Sequence, residues 1–406
     1  MNSNQHTFAN GLRLIHRPSA SPVAYCGYAV DAGTRDEAPH QQGMAHFVEH
    51  LLFKGTRKRK AWHILNRMEH VGGDLNAYTN KEETVVYTAF LAPHFARAAE
   101  LLTDIVFDST FPQREIDKEV GVILDELQSY EDAPGELIFD DFEELLFAGH
   151  PLGHNILGRP EHLKAFRTAD ALAFTRRFYA PQNMVFFVWG DLPFQQVVRR
   201  MERLLAELPA RPTESLRIPP PLQVPQQRIL HKETHQAHVL LGARAYAATD
   251  PRRTALYLLT NILGGPGMNS RLNVALRERR GLVYNVEANL TSYTDTGVLG
   301  IYFGADAADV DTCLRLVHKE LEKLRDQRLT PARLHAAKKQ LIGQIGVASD
   351  HNENNALGMA KRFLHSGRTE PPEALFARIE ALTAGELLEV AGEVLAAGRL
   401  SMLVYR

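Results

Sequence analysis

The chain has 406 residues, of which 45% are hydrophobic and 23% are charged. A chain of this length is too long to fold around one hydrophobic core, so we expect a globular protein of two domains. A net charge of −2 gives no basis for binding nucleic acid or an anionic membrane, and no segment reaches the roughly 18 apolar residues of a membrane-spanning helix.

The first 19 residues, MNSNQHTFANGLRLIHRPS, contain no apolar core of the kind found in signal peptides. They lead directly into a strand-like pattern, which predicts that the protein is not secreted. The two cysteines, Cys26 and Cys313, have no partner motif. That usage is typical of a reducing compartment and excludes a cysteine-rich zinc site. We therefore expect a cytoplasmic protein.

Residues 43–56, GMAHFVEHLLFKGT, combine an apolar pattern with two histidines and a glutamate. In an α-helix, residues four apart differ by about 40° around the axis, so His46 and His50 share one face. Glu49 falls near the same face. Two neutral imidazoles at this spacing can chelate a metal ion, and a neighbouring carboxylate can act as a base. The alternative is a helix whose histidines are simply satisfied within a core.

Residues 114–130, REIDKEVGVILDELQSY, predict a helix with a clear apolar stripe. Glu119 and Glu126 are seven residues apart, so they differ by only about 20° around the axis, and both border the stripe. A carboxylate at a buried margin is unfavourable unless it is paired or binds a metal. Either glutamate could complete a three-ligand zinc site. The alternative is that both pair with Lys or Arg across a helix interface.

The Pro-rich segment at 208–230 divides the chain almost in half and predicts a linker at 211–228. The two halves also resemble each other. ETVVYTAFLAPHFARAAELLTDIV and, roughly 212 residues later, DTGVLGIYFGADAADVDTCLRLVHKEL both predict a strand, a turn and an amphipathic helix. We predict an α+β fold of two related domains, 1–210 and 229–406, each a mostly antiparallel sheet with helices packed on it.

The order of these motifs resembles the pitrilysin and mitochondrial processing peptidase family of zinc peptidases. His46-x-x-Glu49-His50 is the reversed zinc motif of inverzincins. Its spacing to the two later glutamates is that of the family, and further similar segments cover nearly the whole chain. These segments are GGDLNAYTNKEETVVY, GHPLGHNILG and ILGGPGMNSRLNVALRERRGLVYNVEA.

The resemblance implies one zinc ion per chain and a role for each residue of the motif. His46, His50 and Glu126 would be its ligands, and Glu49 would be the base that activates the attacking water. Glu119 would orient a ligand histidine through a hydrogen bond. The strand at 74–80, with Asn76, Ala77 and Tyr78, would bind an unfolded peptide by strand addition. The backbone hydrogen bonds of such pairing depend little on the sequence of the peptide.

The resemblance also matches Arg277 and Tyr284 to a pair that faces the scissile bond and stabilises the oxyanion. Gly281 lies between them and predicts a helix end, so both should lie at one helix-to-strand corner. The alternative is a solvated helix charge at Arg277 and a core residue at Tyr284. Family members enclose small or unfolded peptides between two halves, and a chain of this length supplies one half. A homodimer is therefore expected, with a heterodimer as the alternative.

Two other functions remain open at this point. Family members of this size also serve as non-catalytic or substrate-holding subunits, although such subunits usually lack part of the zinc motif. A different zinc hydrolase, such as an amidase or esterase, would use the same metal chemistry.

Overall fold

The computed structural model describes residues 3–213, 217–222 and 224–406, so part of the predicted linker, 214–216 and 223, lies outside the described residues. The described strands number eleven: β1 Asn4–Thr7, β2 Arg13–Pro18, β3 Val23–Val30, β4 Asp74–Thr79, β5 Thr84–Leu91, β6 Met184–Gly190, β7 Gln227–Leu230, β8 Ala237–Ala245, β9 Val283–Ser292, β10 Gly297–Ala305 and β11 Ser401–Tyr405.

Fourteen α-helices accompany these strands within the described residues: α1 Met44–Leu51, α2 Ala61–Glu69, α3 Phe95–Phe107, α4 Gln113–Glu131, α5 Pro134–Leu146, α6 Pro160–Ala165, α7 Thr168–Phe178, α8 Phe194–Leu205, α9 Arg253–Gly264, α10 Val310–Asp326, α11 Pro331–Ala348, α12 Asn352–Ser366, α13 Pro372–Ala381 and α14 Ala384–Val394. A π-helix spans Asn273–Glu278. None of these described helices combines the length and the apolar character needed to cross a membrane.

The two sheets share one topology. The first has the order β1-β2-β6-β3-β5-β4 and the second has the order β7-β11-β8-β10-β9. When β2 to β6 are matched in chain order with β7 to β11, the two orders become identical apart from the extra strand β1. The β2–β6 and β7–β11 pairs are parallel, and the other pairs are antiparallel. The predicted α+β class and the relatedness of the two domains are confirmed.

Strand alternation sends apolar side chains to both faces of the first sheet. On β5, Val86 and Phe90 join a core formed with helices that include α1, α3 and α8. Val85 points the other way and packs with the α12 residues Ala356 and Phe363. Because successive side chains of a strand point to opposite faces, one strand can supply both cores. Helix α1 is thereby held against the sheet.

The compact units differ from the predicted domain boundaries in two segments. One unit comprises 1–128, 154–218 and 349–369, and the other comprises 129–153, 219–348 and 370–406. The reason is the placement of two apolar helix faces. Helix α12 covers β3 and β6 of the first sheet, whereas α5 covers β8 and β11 of the second. The predicted boundaries, 1–210 and 229–406, therefore do not coincide with the compact units.

Candidate active site

Helix α1 carries the histidine motif and begins at a tightly packed glycine. Gly43 has a φ of +96°, and a Cβ atom there would lie 2.8 Å from backbone atoms of residues 157 and 158. The buried carboxylate of Glu37 accepts hydrogen bonds from the backbone N–H groups of Gly43 at 2.9 Å and Ala45 at 2.8 Å. These contacts satisfy amides that a helix start leaves unpaired. They fix the start of the helix relative to its neighbours.

Helices α1 and α4 bring His46, His50 and Glu126 together. One ligand atom from each residue lies within 4.8 Å of the other two. Glu126 Oε2 lies 3.9 Å from His46 Nε2 and 3.8 Å from His50 Nε2. A tetrahedral zinc ion bound at about 2.1 Å would separate its ligand atoms by roughly 3.4 Å. The observed separations are close to that value, so the three side chains fit a metal ion after a small closure.

The protonation of His46 also suits a metal ligand. Burial, helped by repulsion from a charged His50, lowers the pKa of His46 to about 3. The imidazole is therefore neutral at neutral pH, and a neutral ring nitrogen has the lone pair that a metal ion requires. Its Nε2 atom faces Glu126.

Glu119 orients the second histidine. Its Oε1 atom lies 2.9 Å from His50 Nδ1, and its Oε2 atom lies 2.7 Å from Lys54 Nζ. Burial would raise the pKa of Glu119, but hydrogen bonds from His50 and Lys54 lower it overall. Burial would lower the pKa of His50, but Glu119 and the other nearby carboxylates raise it overall. The Glu119 contact occupies Nδ1 and leaves Nε2 directed at Glu126.

Glu49 lies buried on the same helix, with 8% of its surface exposed. Thr79 on β4 donates a hydrogen bond to Glu49, with 2.6 Å between Oγ1 and Oε2. Burial raises the pKa of the Glu49 carboxyl, and the Thr79 hydrogen bond offsets part of that rise. A carboxyl with a raised pKa is a better proton acceptor than an ordinary exposed glutamate, which is what general base catalysis needs.

The predicted substrate strand is β4, at the end of the first sheet. It pairs with β5 on one side, and no strand of the described residues pairs with its other side. Asn76 is exposed and donates a hydrogen bond to Asp74 at 2.7 Å, while Ala77 and Tyr78 are half-buried. The outer edge of β4 is therefore available for the main chain of an added strand.

Arg277 and Tyr284 lie together in the second compact unit. The guanidinium carbon of Arg277 lies 5.7 Å from the centre of the Tyr284 ring, which is a cation–π distance. Gly281, with a φ of +63°, separates the π-helix from β9 and produces the predicted corner. Tyr284 is 81% exposed, so it is not a core residue of the strand. Both side chains line a cavity of about 260 Å³.

The sequence analysis missed three residues of this constellation, namely Thr79, Lys54 and Glu37. Lys54 lies four residues after His50, and that spacing could have suggested a shared face with the histidines. Thr79 and Glu37 come from separate parts of the chain. No spacing pattern connects them with Glu49 or with the start of α1, so only the tertiary structure identifies them.

Comparison with known proteins identifies the family. The family model described as insulinase (peptidase family M16) matches residues 14–160, and the peptidase M16 inactive domain matches residues 165–341. A protein of Streptomyces coelicolor named as an uncharacterized zinc protease is 33% identical over 403 residues, covering 96% of this chain and 86% of that protein. The chain belongs to peptidase family M16.

Other M16 relatives agree with the predicted resemblance, which is confirmed. A probable mitochondrial-processing peptidase subunit beta of Arabidopsis thaliana is 30% identical over 402 residues, covering 95% of this chain and 75% of that protein. The crystal structure of a protease from Helicobacter pylori is 21% identical and has a TM-score of 0.94, covering 100% of this chain and 99% of that one. The M16 fold therefore extends over the whole chain.

Proposed function

We propose that this M16 chain is a zinc-dependent endopeptidase that cleaves small or unfolded peptides. The observation that carries the proposal is the convergence of His46, His50 and Glu126 beside the buried carboxylate of Glu49. Three protein ligands leave a fourth position for water or substrate, as catalytic zinc requires. Relatives named zinc proteases add support for the metal and for peptide hydrolysis.

Each residue of the site then has a chemical task. Zinc, when bound by His46, His50 and Glu126, supplies a Lewis acid that polarises the peptide carbonyl and favours ionisation of water. Glu49 takes a proton from the attacking water and delivers it to the leaving amine. Glu119 holds the His50 ring in the orientation that directs Nε2 at the metal position.

The open edge of β4 supports the proposed class of substrate. An extended peptide can add there as a strand through main-chain hydrogen bonds, which do not depend on side-chain identity. A folded protein offers few unpaired strands for such pairing, whereas an unfolded peptide offers its main chain freely. We therefore expect broad selectivity, with the substrate required to be unstructured near the cleaved bond.

The same proposal includes a homodimer in which Arg277 and Tyr284 of one chain act on the substrate bound at the zinc site of its partner. The exposure of Tyr284 and its contact with Arg277 are compatible with that role. Hydrogen bonds from these groups to the developing oxyanion would each lower the barrier by a few kcal/mol. A non-catalytic subunit is the alternative, and the complete set of metal-binding side chains argues against it.

The decisive experiment is to incubate the zinc-loaded protein with a mixture of unstructured peptides and to map the cuts by mass spectrometry. Glu49→Gln is the matched control, because the amide cannot accept the proton of water although the metal ligands are unchanged. We expect internal cleavage by the unchanged protein, and near-wild-type zinc content with almost no cleavage by the variant. Zinc-loaded protein that cleaves no peptide, or that hydrolyses small amides instead, would contradict the proposal.

A further inference from the structure

The second compact unit contains a cavity of about 480 Å³ whose charged lining is mostly basic. Arg271 precedes the π-helix and Arg279 follows it, Lys323 lies on α10, and Arg333 lies on α11. Glu320 is the one acidic residue in this lining. Four positive charges and one negative charge leave a formal charge of +3. The whole chain carries −2, so this cavity is a local concentration of positive charge.

The carboxylate of Glu320 pairs with the ammonium group of Lys323. Glu320 lies 2.5 Å from Lys323 Nζ but 3.9 Å from Arg271 Nη1, which is too long for a hydrogen bond. Within the described part of the chain, the guanidinium groups of Arg271, Arg279 and Arg333 donate no hydrogen bond to protein atoms. Each guanidinium carries five N–H donors in a fixed planar fork. The cavity therefore presents three such forks with their donors unused by the protein.

Two other partly buried arginines, Arg59 and Arg217, are each paired closely with carboxylates. Arg59 contacts Glu100 at 2.7 Å and Asp104 at 2.5 Å, and Arg217 contacts Asp36 at 2.8 Å. The side chain of Arg271 is only 20% exposed, close to the 16% of Arg59, yet its distance to the carboxylate of Glu320 is 3.9 Å. Crowded like charges destabilise a fold unless counter-charge is supplied.

The electrostatics of Arg271 agree with this geometry. Burial lowers the pKa of Arg271 and the nearby positive charge of Arg333 lowers it further, although Glu320 acts in the opposite direction. An anion placed between Arg271 and Arg333 would reverse both unfavourable effects, because it would replace lost water and screen the repulsion.

We propose that this cavity binds a small molecule with two linked phosphoryl groups, of which inorganic pyrophosphate is the simplest example. Guanidinium forks bind phosphate oxygens through paired hydrogen bonds. A diphosphate group carries enough negative charge to balance +3, whereas a single carboxylate does not. The volume lies within the roughly 300–1,000 Å³ range of small-molecule sites. The basic residues form a cluster and not a long track, so a small molecule fits better than a nucleic acid.

The test is calorimetric titration of the full-length, zinc-loaded protein with pyrophosphate at constant ionic strength. We expect one pyrophosphate per chain and weaker binding of inorganic phosphate. Arg279→Gln/Arg333→Gln should weaken pyrophosphate binding by at least tenfold, because two charge-assisted contacts are lost. Glu320→Gln should strengthen it. Both arginines are exposed, so we expect the double variant to fold, and its melting temperature checks this.

The matched control is Arg315→Gln/Lys319→Gln, which removes two exposed positive charges from α10 outside the cavity lining. Its pyrophosphate affinity should stay within twofold of the unchanged protein. Equal affinity in the cavity variant and the unchanged protein would overturn the proposal, as would the absence of pyrophosphate binding. Binding of a single-stranded oligonucleotide that pyrophosphate does not displace would assign the patch to nucleic acid and would also overturn it. None of these results depends on peptidase activity.

Discussion

Thr79 donates a hydrogen bond to Glu49, and the 2.6 Å distance joins two residues that are both buried. Thr84 lies behind Thr79, with 3.4 Å between the two hydroxyl oxygens, and donates its own hydrogen bond to the carbonyl of Ala32. Because the Thr79 proton is directed at one oxygen of Glu49, the carboxylate is held in one orientation. Its other oxygen can then face the attacking water in the proposed reaction.

This relationship predicts that Thr79→Val lowers kcat for peptide cleavage by roughly 10- to 100-fold, the equivalent of a lost hydrogen bond to a charged group. KM and zinc content should be unchanged, because valine keeps the shape and removes only the hydroxyl. Thr79→Ser retains the hydroxyl and should recover most of the activity. Steady-state kinetics with metal analysis provide the measurement. Equal damage in the serine and valine variants would show that the methyl packing of Thr79 matters and not its hydrogen bond.

A second prediction concerns the metal. His46→Ala and Glu126→Ala should each lose most of the bound zinc, because each removes one of three ligands. Glu119→Gln should weaken zinc affinity by roughly 10- to 100-fold, because it alters the group that orients His50. Metal analysis after dialysis against a chelator of known affinity measures these effects. Asp125→Ala, on the solvent side of α4, is the control and should retain zinc. Full zinc occupancy in Glu126→Ala would mean that the third ligand is misassigned.

A third prediction concerns acid stability and the attachment of α12. Glu83 accepts hydrogen bonds from Lys361 at 2.5 Å and His365 at 3.1 Å, and Asn80 adds another at 2.8 Å. Burial would raise the pKa of Glu83, but these contacts lower it to about 2. In the unfolded chain, the Glu83 carboxyl has its ordinary pKa of about 4.5. The ionised group therefore stabilises the fold above that pH by about 3 kcal/mol, and this contribution is lost as pH falls from 4.5 towards 2.

Glu83→Gln should accordingly be less stable than the unchanged protein at pH 7, and the difference should shrink as the pH falls below 4.5. Urea denaturation at a series of pH values between 7 and 3 measures the free energy of unfolding of both proteins. Glu353→Gln serves as the comparison, because Glu353 lies on α12 with Lys361 and His365 but contacts Tyr87. A stability difference that is constant with pH would show that Glu83 acts through packing alone.

Helix periodicity was sufficient to predict α1 and α4 and the faces that carry His46, His50, Glu119 and Glu126, because it depends on residues close in sequence. The repeated strand, turn and helix pattern likewise predicted two related sheets. Neither pattern could predict which of the two sheets α5 or α12 packs against, because an apolar helix face does not specify its partner. The Thr79–Glu49 contact was missed for the same reason, since it joins a strand and a helix 30 residues apart. The unused guanidinium groups at Arg279 and Arg333 also needed the tertiary structure, since sequence alone does not show which charges are paired.

The last prediction tests the proposed sharing of the active site between two chains. If Glu49 of one chain works with Tyr284 of its partner, Glu49→Gln and Tyr284→Phe homodimers should each be severely impaired. In a mixed dimer, one site would contain both substitutions and the other would contain neither. Random exchange makes about half of the dimers mixed, each with one intact site of two, so roughly a quarter of the activity of the unchanged protein should return.

The measurement is peptide cleavage after the two variants are mixed under conditions that allow subunit exchange. Mixing either variant with itself is the control. If Glu49 and Tyr284 act within one chain, every site carries a substitution and no activity returns however long the variants are mixed, so recovery requires a site built from two chains.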